Sequence, residues 1–145
     1  MAMTENKLLN TARETIESVG IEGVELERES FDPRNFGNGE VVFRLGPLLL
    51  RFIRDRGQDF LDIASTIAPD RFHQFDDVEI AMGWKSVEET LGKSEPEPLA
   101  DMLGRLRNRL GELQSAMSGN QEAFTRARIE RAAEQRGAEF VKRLH

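Results

Sequence analysis

The densest apolar stretch of the chain is residues 40–66, EVVFRLGPLLLRFIRDRGQDFLDIAST. Its residues alternate. Val41, Phe43 and Leu45 point one way, with Val42 and Arg44 the other. Leu48, Leu50 and Phe52 alternate with Leu49, Arg51 and Ile53, and Leu61 and Ile63 with Phe60 and Asp62. Gly46-Pro47 and Arg54-Asp55-Arg56-Gly57 are turn sequences, and Gly57 is suited to positive φ. The pattern predicts three strands, and links this short require antiparallel neighbours. The middle strand is apolar on both faces and is expected to be central.

The period changes on either side. Leu8, Leu9, Ala12, Ile16 and Val19 recur at helical spacing, which predicts a first helix capped by Thr4 and ended by Gly20 and Gly23. Residues 24–28 alternate and predict a partly exposed strand, followed by a Pro-, Asn- and Gly-rich loop over 31–39. After a connection over 69–74, residues 75–82 form a short helix closed by Gly83. Ser86-Val87-Glu88-Glu89 is a capping box for another helix, ending at Gly92. Residues 93–98, KSEPEP, read as a stiff polar linker. Beyond it Leu99, Leu103, Leu106, Leu110, Leu113 and Met117 make a heptad seam. Ser118-Gly119-Asn120 breaks the seam, and a last helix runs over 121–144 with Phe124, Ile129, Ala133, Phe140 and Leu144 along one stripe. Gly137 leaves a gap in that stripe.

These elements predict an α+β fold. An N-terminal helix lies on an antiparallel sheet of three or four strands, short helices follow, and a C-terminal antiparallel helical hairpin closes the chain. Residues 1–95 form the α+β domain, and residues 96–145 are an appendage packing on it or on a partner. The seam packs within the monomer or forms a dimer interface. Gly104 and Gly111, seven apart beside it, suggest close backbone approach by another element.

At 145 residues the chain can bury a core without covalent staples. With no Cys it has neither disulfides nor thiolate metal sites, which suits a reducing cytoplasm. The first twenty residues are charged throughout, which predicts no secretory signal, and no apolar run reaches membrane-spanning length. The net charge of −6 is uneven: residues 100–145 carry nine basic and six acidic side chains, residues 1–99 eleven and twenty. The front of the protein therefore repels nucleic acid and attracts a basic partner.

Candidate chemistry is sparse. His73 with Asp70, Asp76 and Asp77 nearby is a loose cluster without the spacing of a known metal site, and fits a surface loop beside a helix start better than a general base. Asp59 and Asp62 are three apart on a strand and diverge, so they suit ion pairs, Asp62 with Arg51 or Arg44, better than paired-carboxylate chemistry. Phe36-Gly37-Asn38-Gly39 lacks the following helix of a phosphate cradle. Arg105, Arg107, Arg109, Arg126, Arg128 and Arg131 make the C-terminal region basic, but Glu112, Glu122, Glu130 and Glu134 interleave with them, the pattern of a solvated face rather than a nucleic-acid site. No catalytic, metal or cofactor residues are assigned.

Leu50-Arg51-Phe52-Ile53-Arg54-Asp55-Arg56-Gly57-Gln58-Asp59-Phe60-Leu61-Asp62-Ile63, with the later Phe75-Asp76-Asp77-Val78 before Gly83, resembles small bacterial immunity-type proteins associated with polymorphic toxin systems. The resemblance spans about residues 41–83 and leaves out the first helix and the basic C-terminal region. It implies a non-enzymatic protein that blocks a toxin domain by occlusion, and it carries over no binding residues. From the residues themselves, Glu25, Glu27, Asp76, Asp77 and Glu79 are the expected acidic contacts, with Trp84 as anchor. The alternative is a dimeric acidic secretion-chaperone-like protein; an enzyme using His73 comes third.

Overall fold

The computed structural model describes residues 6–32, 34, 38–92 and 95–145. It opens with α1 (Lys7–Val19), whose face of Leu8, Ala12 and Ile16 is buried. Asn6 caps the helix, its side chain accepting from the Leu9 amide at 3.1 Å. The expected cap, Thr4, lies outside the described residues. Gly20 ends the helix in the left-handed region at φ 80°.

A five-stranded antiparallel sheet follows in the order β1-β2-β3-β4-β5: β1 (Glu25–Asp32), β2 (Asn38–Leu45), β3 (Leu48–Asp55), β4 (Gln58–Ser65) and β5 (His73–Gln74). Its strand count exceeds the expected three or four because His73–Gln74, assigned to a connection, pairs with Asp62 and Ile63. Strands β1 and β2 also reach into the predicted loop, with Phe31 opposite Gly39 and Asp32 opposite Asn38. Of that loop, Pro33 and residues 35–37 lie outside the described residues. The turn between β3 and β4 is a two-residue hairpin with Arg56 at φ 52° and Gly57 at φ 81°, the geometry that matches strand twist.

One face of the sheet carries Val41, Phe43, Leu45, Leu48, Leu50, Phe52, Leu61 and Ile63, all buried in the main core. Phe43 and Phe52 meet edge to face, 5.8 Å between ring centres. The opposite face buries a smaller apolar cluster, Val42, Leu49 and Ala64, with Phe72 packed against it. There Arg51 spans the sheet to Asp62 at 2.7 Å and stacks 4.1 Å from the centre of the Phe72 ring.

Helices complete the core: α2 (Phe75–Ala81), α3 (Val87–Leu91), α4 (Leu99–Asn108), α5 (Leu110–Ala116), a single 3₁₀ turn at Gly119–Gln121, and α6 (Glu122–Arg143). The capping box at Ser86 and Glu89 forms as expected. Of the linker, Lys93 and Ser94 lie outside the described residues. The heptad seam is not one helix, because Arg109 at φ −119°, ψ 12° divides α4 from α5. Nor do the C-terminal helices form a simple hairpin: α4 packs on α1, and α6 packs on α2 and α3. Leu99, Leu103, Leu106, Leu113 and Met117 are buried in the same core as the strands, with Leu110 packed against it. The seam is thus consumed inside the chain and leaves no such ridge for a dimer. Nothing lies within 4 Å of a Cβ added at Gly104 or Gly111, so the expected close backbone approach is absent there.

Candidate functional site

The expected acidic contacts fall in two places. Glu25 and Glu27 are exposed on β1, at one end of the sheet. Asp76, Asp77 and Glu79 lie on α2, which continues from β5 at the other end. Three strands lie between the two groups. At about 4.8 Å per strand the two groups are separated by roughly 19 Å.

Two of the five are also withdrawn from solvent. Asp77 pairs with Arg136 of α6 at 2.6 Å, and Arg136 reaches Gln74 at 2.7 Å. Glu79 pairs with Arg105 of α4 at 2.8 Å and with Lys85 at 3.7 Å. Arg105 is also bonded to Glu97 and is held charged by these two carboxylates. Asp77 and Glu79 therefore join α2 to the C-terminal helices, and the expectation that they face a partner is corrected. A buried pair broken on one side costs about 3–5 kcal/mol, so these groups serve the fold. Asp76 beside them is half-buried. Trp84 is half-buried as well: its indole N–H donates to Glu112 at 3.3 Å, and the Arg109 guanidinium lies 5.6 Å from the ring centre. It lines a polar cleft of about 350 Å³ with Lys85, Glu89, Arg105 and Asn108.

A second cleft of about 250 Å³ lies between the start of β4 and α2, lined by Asp59, Phe60, Phe75, Asp76, Glu97 and Met102 among others. Its carboxylates are largely engaged. Asp59 is bonded to Arg54 at 2.7 Å, Asp62 to Arg51, and Glu97 to Arg105. Burial pushes the Asp62 carboxyl above its ordinary range, outweighing the hydrogen bonds and charge of Arg51. Among the described residues no group of three or more His, Asp or Glu is placed to hold a metal ion.

His73 is not in a surface loop. It sits in β5, half-buried, with Nε2 enclosed and without a hydrogen-bond partner. Burial lowers its pKa below 6.5, while Glu130 and Asp77 pull the other way.

What sequence reasoning missed is the extent of β1 as a display. All of its residues but Phe31 are exposed, and Glu29 joins Glu25 and Glu27 there. None of these three glutamates is in an ion pair among the described residues. Arg28 is neutralised by Glu40 at 3.1 Å. The alternation of charge through residues 25–29 is the signal for it in the sequence, and the strand continues through Phe31 and Asp32 into the turn-rich stretch. The apolar stripe expected on the last helix is left partly open: Phe124, Phe140 and Leu144 are each more than half exposed, as is Val141 beside them at the end of α6. Among the described residues, no helix is long and apolar enough to cross a membrane. No family model, curated protein or solved structure matches the chain.

Proposed function

We propose that the chain is a non-enzymatic protein-binding protein of the immunity type, acting in the cytoplasm and blocking a basic partner such as a toxin domain by covering it. The observation that carries the reading is β1: an eight-residue strand almost wholly in solvent, with Glu25, Glu27 and Glu29 outside any described ion pair. Unpaired carboxylates on an exposed strand are a fixed negative surface that steers and orients a basic partner. The residues assigned to contact are therefore Glu25, Glu27 and Glu29, without Asp77 and Glu79.

The test is affinity for a partner captured from the native host and then purified. Glu25→Lys with Glu27→Lys is expected to weaken binding at least about tenfold and to flatten its dependence on salt. Unchanged affinity and unchanged salt dependence would sink the reading.

A dimeric secretion-chaperone-like protein is favoured by a different observation, the apolar end of α6 at Phe140, Val141 and Leu144. Light scattering separates the two: a dimer lost on Phe140→Ser with Leu144→Ser supports the chaperone reading, and a strict monomer removes it.

A further inference from the structure

We propose that the open edge of β1 receives an extended basic segment of the partner as a sixth strand of the sheet, so that backbone pairing, and not charge alone, holds the complex. This rests on the protein-binding reading above and names its mode. Strand β1 ends the sheet, and among the described residues nothing pairs with its far side. Alternate residues of such a strand turn their N–H and C=O groups outward, a ready template for another chain. The other end offers no such template, because β5 is two residues long and runs directly into α2.

The side chains of β1 state what the added strand carries. The ladder shifts register between Leu26 and Arg28, which leaves Glu27 in a bulge. Leu26, Glu29 and Phe31 consequently stand on the face of Phe43 and Val41, and Glu25, Arg28, Ser30 and Asp32 on the face of Arg44 and Val42. A strand laid alongside meets an apolar, an acidic and an apolar neighbour in succession on the first face. Its complement places a lysine or arginine opposite Glu29, flanked two residues away on each side by apolar residues opposite Leu26 and Phe31. Leu26 is 40 % exposed, so it has apolar surface left to cover.

A second copy of this chain is the poorer occupant. Four carboxylates and one arginine on β1 would face the same set across a symmetric junction, and opposed like charges destabilise strand pairs. Once Arg28 is neutralised by Glu40 the charge of β1 has a single sign, which disfavours an acidic strand and favours a basic one.

The probe is a capped peptide matched to β1 in length, with valine, lysine and valine at every second position to meet Leu26, Glu29 and Phe31 and threonine between them, added to the intact chain. Two further versions carry N-methyl groups on every second residue, one for each phase, which keep the charge and remove one edge of backbone donors. Binding is expected, with amide chemical-shift changes concentrated at residues 25–32. One N-methylated phase is expected to bind at least about tenfold more weakly, and so is the parent peptide with the Glu25→Gln, Glu27→Gln, Glu29→Gln variant. Equal binding of all three peptides overturns strand addition, while a loss with the glutamine variant alone leaves the acidic-surface reading standing. Shifts centred elsewhere, or no binding at millimolar peptide, overturn it too. So does a self-associated dimer whose perturbed amides are those of β1.

Discussion

At the scale of single residues, the charged side chains are divided between those that hold the fold and those on display. Asp77, Glu79 and Glu122 are almost inaccessible, and each has an arginine within 2.8 Å. Asp76 and Asp77 are adjacent and chemically identical, yet Asp77 is buried and Asp76 only half-buried, so nothing local announced which carboxylates would be buried. The arginines that decide it, Arg105 and Arg136, come 26 and 59 residues later. His73 gives a test of burial at this scale. Its folded pKa is below 6.5, so between the two values the unfolded chain binds more protons and stability rises with pH. The contribution is complete above pH 6.5 and is lost as pH falls through the lowered folded value. Unfolding midpoints from about pH 8 to about pH 5 should therefore fall more steeply for the natural chain than for His73→Gln. Parallel curves would show that His73 stays solvated.

At the scale of elements, the strand core was legible because alternation has a fixed consequence. The faces assigned to Val41, Phe43, Leu45, Leu48, Leu50, Phe52, Leu61 and Ile63 are those buried together. Both turns fall at Gly46 and Gly57, which take φ 59° and 81°. The seam from Leu99 to Met117 was equally clear as a pattern, but a heptad states only that one face is apolar. It does not state what covers that face, and the cover is α1 and the sheet rather than a second copy. Gly104 and Gly137 lie within helices with nothing within 4 Å of an added Cβ. Gly104→Ala and Gly137→Ala should each stabilise the chain by up to about 1 kcal/mol, read from urea unfolding midpoints. A loss of stability at Gly104 would mean a closer neighbour than the structure places there.

At the scale of the whole molecule, the core crosses the predicted linker. Leu103, Leu106, Leu113, Met117 and Ile129 belong to the cluster that contains the strands and α1. Ser65 at the end of β4 donates to the Met117 carbonyl at 2.9 Å, which fixes α5 against the sheet. A fragment of residues 1–95 loses this cover and strands the carboxylates of Asp77 and Glu79 without Arg136 and Arg105. It should show no cooperative unfolding transition by circular dichroism, whereas the whole chain unfolds in one step. A fragment that melts cooperatively would establish two independent units. By itself the sequence determined the α+β class, the paired strands, the turns and the capping box, because each depends on spacing within a few residues. Only the tertiary structure decided which charges are buried, what the Leu99–Met117 seam packs on, and that β1 stands open at the sheet's edge. Those outcomes depend on residues far apart in the chain meeting across a shared core, and local periodicity holds no record of which ones meet.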